Sequence, residues 1–259
     1  MELRLDGKRA LITAGAAGIG LAIAESMTAA GARVHICDID EARLAATAKA
    51  LPGTGRTVAD IADAASVDRL FDEALDSLGG LDILVNNAGI AGPTAPAEQI
   101  APADWRHTLA VGLDGAFYCA RRAIPLLKRA GGGAIVNIAS TAGLMGVPNR
   151  SPYAAAKWGL IGLTRTLAME LGPFGIRVNA ICPGSVDGPR MDRVIAADAA
   201  LRQIDPSEVR AAYLAQVSMR TFVDVADIAS MAVFICSDAG ARISGQALAV
   251  DGHTETLAV

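Results

Sequence analysis

Tyr153 and Lys157 stand four residues apart in Tyr153-Ala154-Ala155-Ala156-Lys157, with Ser140 thirteen residues upstream of the tyrosine. Four residues is about one helical turn, so phenol and ammonium share a face. A cation beside a phenol favours the phenolate and draws a group that ordinarily titrates near about 10 toward neutrality. Such a phenol can give and take a proton near neutral pH. The same spacing also occurs on ordinary amphipathic helices, so its meaning depends on what else the chain carries.

An apolar segment near the N-terminus runs into Thr13-Ala14-Gly15-Ala16-Ala17-Gly18-Ile19-Gly20. Glycines at 15, 18 and 20 let the main chain approach a pyrophosphate, whose charge then meets the N-terminus of the helix that follows. Any tight strand-to-helix turn needs glycine, so the turn alone decides little. Asp38 closes the next apolar segment, 18 residues beyond Gly20. A carboxylate there accepts hydrogen bonds from adenosine ribose hydroxyls and repels a 2′-phosphate. Neither the turn nor the stretch between Asp38 and Arg43 contains Lys or Arg, which favours NAD over NADP. Asp60, after a third short segment, either accepts from the adenine amino group or forms a turn.

Short apolar segments at 10–14, 34–38, 56–59, 81–86, 134–139, 177–181 and 247–250 read as strands, several apolar almost without a break, as for strands covered on both faces. Between them, helical patterns cover 19–30, 41–50, 66–78, 103–130, 153–171 and 225–236. Strict alternation implies right-handed crossovers and a parallel, doubly wound sheet. With no repeat, low-complexity tract or linker, residues 1–259 read as one domain. Residues 188–216 break the alternation with two short helical pieces, near Met191 and after Pro206. Their place after a strand end suggests a flap over a site.

At 259 residues, 52% hydrophobic and 19% charged, the chain can bury a substantial core. A formal net charge of −4 without a basic block argues against nucleic acid. Cys37, Cys119, Cys182 and Cys236 lie far apart in apolar contexts, and the three histidines, 35, 107 and 253, are scattered. Buried reduced thiols in a cytoplasmic protein and no metal site are expected. Lys8-Arg9 before an Ala-rich stretch imitates a secretion signal, but Gly15, Gly18 and Gly20 interrupt it. No uninterrupted apolar run reaches the roughly 18 residues of a membrane span.

The turn glycines, Asp38, Asp60-Ile61, Asn86-Asn87-Ala88-Gly89, Ser140, Tyr153, Lys157 and Pro183-Gly184, in this order, resemble the short-chain dehydrogenase/reductase family over 5–252. The resemblance implies a single Rossmann-type domain with a parallel seven-stranded sheet. The family is commonly tetrameric and moves a hydride between a nicotinamide and an alcohol or carbonyl carbon. By that likeness Ser140 holds the substrate oxygen and Tyr153 exchanges its proton. Lys157 lowers the Tyr153 pKa and holds the nicotinamide ribose. Gly15, Gly18, Ile19 and Gly20 take the pyrophosphate side, and Asp60 and Ile61 the adenine side. Asn87, Ala88 and Gly89 line the adenosine and ribose side, while Pro183, Gly184 and Val186 back the nicotinamide.

Three positions depart from the family pattern. Ala14 replaces a glycine and is tolerated if its φ is negative. Gly112, in Val111-Gly112-Leu113-Asp114-Gly115, stands where an asparagine generally completes a catalytic tetrad. It keeps a carbonyl and accommodates a bend, so a triad is expected. Gly188 stands where a threonine is often found, which frees the flap.

Asn149-Arg150 lies just ahead of Ser151-Pro152-Tyr153, and Arg190 and Arg193 open the flap. Arginine recognises carboxylates through a planar fork. The chain is similar here to the hydroxy-acid branch of the family, including 3-hydroxybutyrate dehydrogenase-like proteins, in which Arg150 would anchor an anion. Alternatively Arg150 lies on a surface loop or subunit contact. The implied substrate is a small polar hydroxy compound: a hydroxy acid, sugar or sugar acid. Met191, Val194 and Ile195 could instead cover an acyl chain, as in a 3-oxoacyl-thioester reductase, and Gly112 keeps open an NAD-binding sensor without turnover. Trp105 and Trp158 read as packing groups on long helices suited to a homo-oligomer. The tail 253–259 either reaches a neighbouring subunit or frays.

Overall fold

A computed structural model describes residues 3–257. Seven parallel strands, β1 (Arg9–Thr13), β2 (Arg33–Asp38), β3 (Gly55–Val58), β4 (Ile83–Asn86), β5 (Gly133–Ile138), β6 (Ile176–Pro183) and β7 (Ala247–Val250), form one sheet in the order β3-β2-β1-β4-β5-β6-β7. The helices are α1 (Gly18–Ala29), α2 (Glu41–Ala46), α3 (Ala64–Leu78), α4 (Pro102–Leu109), α5 (Gly115–Arg129), α6 (Ser151–Leu171), α7 (Pro189–Arg202), α8 (Pro206–Ala215) and α9 (Val225–Cys236).

Alternate residues of each strand enter separate cores, as the period of two requires. Ala10, Ile12, Ile36, Val85 and Val136 face α1 and α9, whereas Leu11, Cys37, Leu84, Ile135 and Val178 face α3, α5 and α6. Burial on both faces is why these strands read as continuous apolar runs. Asparagine replaces an aliphatic residue where the central strands need a polar tie. Asn86 Nδ2 donates to Asn137 Oδ1 at 2.9 Å, and Asn137 Nδ2 donates to Thr164 Oγ1 at 2.8 Å, linking β4, β5 and α6.

Helix starts follow local chemistry. Asp40, Asp63, Asp205 and Asp224 cap α2, α3, α8 and α9 with their side chains, and the last two form reciprocal capping boxes. α1 is different: Ala17 at its N-cap offers no side-chain acceptor, and its first turn holds no acidic residue.

The helix expected over 103–130 is present without a break as α4 and α5, joined by a π-helical turn, Ala110–Asp114, that contains Gly112 and that the sequence did not announce. Hydrophobic periodicity does not register one extra residue in a turn, and π turns of this kind concentrate at functional sites. Lack of a side chain at 112 allows close packing, since a Cβ there would lie 3.2 Å from Ala156 Cβ on α6. The tail does not fray through 257: Ser218 N–H donates to His253 O at 2.9 Å and Glu255 N–H to Gln216 O at 2.9 Å, while 258–259 lie outside the described residues. No helix among the described residues is long and apolar enough to cross a membrane.

Candidate active site

Parallel strands in register deliver their C-terminal ends to one edge of the sheet, and every candidate motif follows such an end. β1 and β4 are neighbours while their successors run to opposite sides, so the turn after β1 and the loop after β4 open a crevice between them.

At the turn, Gly15 is compulsory because a Cβ would fall 2.7 Å from Ile36, and Gly20 because a Cβ would meet Ala14 O at 2.2 Å. Gly18 takes φ +52 with open space around it. Ala14 has φ +50, so the condition on which alanine is tolerated is not met and the residue sits in the strained left-handed region. Asn87 holds it there, its Nδ2 donating to Thr13 O at 3.0 Å and Ala14 O at 3.1 Å. Thr13 Oγ1 accepts from the N–H groups of Asn87 and Ala88 at 3.0 Å each.

Asp38 lies beside this turn, accepting from Ala16 N–H at 3.4 Å and Asp40 N–H at 3.1 Å. The uncapped first turn of α1, the bare Gly18 and this carboxylate together fit a dinucleotide: donors for a pyrophosphate and an acceptor for ribose hydroxyls. Asp60 is exposed and accepts from Ala62 N–H at 2.9 Å, the local turn bond that was its alternative reading; Ile61 beside it is buried.

Ser140, Tyr153 and Lys157 are brought together by β5 and α6. Lys157 is 4% exposed and donates from Nζ to Ile138 O, the last carbonyl of β5, at 2.7 Å. Its Nζ is 5.7 Å from the Tyr153 ring centroid, and a Cβ on Gly89 would lie 3.4 Å from it. Burial lowers the Lys157 pKa, the Tyr153 phenol opposes this, and the net direction is down.

Burial pushes the Tyr153 phenol up, but Lys157, Arg190, a hydrogen bond with Ser140 and Arg150 outweigh it, so its pKa falls below the ordinary value. Ser140 caps the short turn Thr141–Gly143 by accepting from Ala142 N–H at 3.1 Å, which fixes its hydroxyl beside the phenol. No thiol competes as a nucleophile here: burial pushes Cys37 and Cys236 up to about 12 and Cys182 up to about 11.

Arg150 is not on a surface loop; it is 7% exposed, with its guanidinium carbon 4.9 Å from the Tyr153 ring centroid. Its Nη2 donates to Ala91 O at 3.0 Å and its Nε has no partner among the described residues. Asn149 takes φ +59, and its carbonyl accepts from Ala95 N–H at 2.9 Å. Arg190, at the start of α7, donates to Gly89 O at 3.1 Å and comes within 5.9 Å of the same ring. Gly188 has φ +130, a conformation that a threonine would adopt only under strain. Pro183 ends β6, Gly184 N–H donates to Val250 O at 3.1 Å, and Val186 bridges to Val223.

Sequence reasoning missed Asp198 and Tyr213, which the flap helices bring toward Arg150. Asp198 is buried at 7% exposure. Its place on the apolar stripe of α7 was the available signal.

The family described as Enoyl-(Acyl carrier protein) reductase matches residues 14–253. Granaticin polyketide synthase putative ketoacyl reductase 1 of Streptomyces violaceoruber is 40% identical, over 94% of this chain and 91% of that protein. D-threitol dehydrogenase of Mycolicibacterium smegmatis is 39% identical, over 97% and 94%. D-beta-hydroxybutyrate dehydrogenase of Cupriavidus necator is 36% identical, over 96% and 98%. The solved structure of an NAD+-bound xylitol dehydrogenase superposes with a TM-score of 0.91 at 29% identity, covering 95% of this chain and 98% of that one. With sheet order, motif positions and relatives in agreement, the chain belongs to the short-chain dehydrogenase/reductase family, oxidoreductases that act on CH–OH groups.

Proposed function

We propose that the protein is an NAD-dependent dehydrogenase acting on a secondary alcohol or the corresponding carbonyl of a small polar hydroxy compound: a hydroxy acid, sugar or sugar acid. The observation that carries this reading is the Tyr153 phenol, held below its ordinary pKa by Lys157 and Arg190 beside the Ser140 hydroxyl. A bound nicotinamide supplies the hydride acceptor or donor.

Asp38 accepts the adenosine ribose hydroxyls and disfavours a 2′-phosphate. Gly15, Gly18, Ile19 and Gly20 present main chain to the pyrophosphate, and Asp60 and Ile61 flank the adenine. Asn87, Ala88 and Gly89 line the ribose side, and Pro183, Gly184 and Val186 back the nicotinamide. Ser140 donates to the substrate oxygen, orienting it toward Tyr153. In oxidation the phenolate takes the hydroxyl proton; in reduction the phenol returns it. Lys157 keeps the phenol acidic and binds the nicotinamide ribose.

Arg150, with Asn149 and Arg190, binds the polar end of the substrate; the free Nε of a buried guanidinium supports this role. Residues 188–216 cover the substrate, and Arg190 reaching Gly89 O ties that flap to the cofactor side. Four buried cysteines, unpaired among the described residues, suit a cytoplasmic protein. The exposed aromatic residues Trp105, Phe117 and Trp158 on α4, α5 and α6 suit a homotetramer.

The ketoacyl reductase relative favours a second reading, reduction of 3-oxoacyl thioesters. Its apolar lining is weaker than the sequence suggested, because Met191 and Ile195 are buried in packing between α7 and α8. Reduction of NAD and NADP by the purified protein with a panel of hydroxy acids, sugars, polyols and 3-hydroxyacyl thioesters tests both. NAD turnover with the small polar alcohols is expected. A strong NADP preference would contradict the role of Asp38, and NAD binding with no turnover would establish a sensor instead.

A further inference from the structure

The inner stripe of α7 carries a residue that packing does not account for. Met191, Ile195 and Ala199 pack with Val209 of α8, and Asp198 is buried among them at 7% exposure. Its Oδ2 accepts no hydrogen bond from any described residue. Arg202 Nη1 lies 3.6 Å away on a partly exposed side chain, an ion pair too long for a hydrogen bond. A buried carboxyl oxygen in this condition calls for a donor from outside the fold.

Arg150 presents the complementary vacancy. It is equally buried, directs Nη2 to Ala91 O, and leaves Nε without an acceptor while its guanidinium covers the Tyr153 ring. Asp198, Arg150 and Tyr213 lie close enough for their charges to act on one another. The first turn of α7 reaches the same ring through Arg190, so the helix that carries Asp198 starts beside Tyr153.

One chemical group has the polarity that both vacancies call for. A hydroxyl donates to Asp198 and accepts from Arg150 Nε. A carboxylate satisfies the guanidinium but meets Asp198 with like charge, and an alkyl chain satisfies neither.

We propose that Asp198 is a substrate-binding, specificity-determining carboxylate. Together with Arg150 Nε it selects substrates that carry a hydroxyl beyond the one oxidised, namely polyols and sugars, over simple hydroxy acids and acyl chains. This rests on the dehydrogenase reading above and narrows its substrate class.

The test compares kcat/KM with NAD for 2,3-butanediol against 2-butanol, and for threitol against 3-hydroxybutyrate, in the wild type and in Asp198→Asn and Asp198→Ala. The wild type should favour the polyhydroxylated member of each pair. Both variants should shrink that preference by about tenfold or more, chiefly through KM, the expected loss for a hydrogen bond to a charged group. Equal losses on all four alcohols, or an unchanged preference, would assign Asp198 to helix packing with Arg202 and overturn the inference while leaving the dehydrogenase intact. If the wild type oxidises none of them, the dehydrogenase reading is decided by the wider panel above, and thermal stabilisation of the NAD-bound protein by threitol becomes the deciding readout for Asp198. Stabilisation present in the wild type and lost in Asp198→Asn upholds the selection of polyhydroxyl compounds; its absence in the wild type refutes it.

Discussion

The Tyr153 phenol is kept below its ordinary pKa because three cations, Lys157, Arg190 and Arg150, together with a hydrogen bond to Ser140, overcome its burial, and the proton-carrier role proposed for it rests on that balance. For alcohol oxidation the phenolate is the reactive form. The kcat/KM for oxidation should therefore rise with pH through the lowered Tyr153 pKa and level off above it, whereas reduction should fall over the same range. Replacing Lys157 with methionine should move that limb to higher pH, since the largest of the opposing cations is gone. Tyr153→Phe should lower kcat by about 10²- to 10⁴-fold, with NAD affinity retained when measured by fluorescence titration. An unmoved pH profile in Lys157→Met would break the link between the two residues. Ala14 makes a different residue-scale prediction. A left-handed alanine costs about 1–2 kcal/mol, part of which glycine returns through its freer unfolded chain. Ala14→Gly should raise stability by roughly 0.5–1 kcal/mol, seen as a higher urea midpoint at constant slope.

Among the elements, β2, β3 and α3 are joined by a polar chain that no motif announced. Thr57 Oγ1 lies 2.6 Å from Glu73 Oε2 and 3.0 Å from His35 Nε2. A hydroxyl has one hydrogen, which it gives to the carboxylate, so His35 Nε2–H donates to Thr57 and Nδ1 is left as a buried acceptor without a partner. Burial, opposed by Glu73, takes the His35 pKa from 6.5 to about 4. The unfolded chain binds a proton in that window that the folded chain refuses. Stability should thus be complete above pH 6.5 and fall as pH drops toward 4, by up to about 3 kcal/mol from this residue. Urea titrations at several pH values should show His35→Gln losing that part of the slope; identical slopes in both proteins would exclude His35 as its source.

At the scale of the whole molecule, Trp105, Phe117 and Trp158 are 39%, 48% and 51% exposed; α5 and α6 cover the same side of the sheet and α4 packs against α6. Contiguous exposed apolar surface marks an interaction site, and these three aromatic side chains are its candidates here. Sedimentation velocity should find a tetramer, and Phe117→Glu or Trp158→Glu should yield smaller species with unchanged circular dichroism. A wild-type monomer at micromolar concentration would remove this role from the three helices.

The parallel sheet, its neighbouring helices and the nearness of Tyr153 to Lys157 were legible in the sequence, because each rests on a local rule: alternation of periods, and two residues one helical turn apart. Local rules are silent on the π turn at Ala110–Asp114, because an extra residue in the helical turn leaves the hydrophobic pattern almost unchanged. Tertiary structure alone decided that Ala14 is strained, that Arg150 is buried rather than exposed, and that Asp198 Oδ2 is buried without a hydrogen-bond donor among the described residues. Burial and hydrogen-bond satisfaction depend on chain segments far apart in sequence meeting in space, as Arg150 and Ala91 do, and no spacing along the chain encodes which groups are left unpaired.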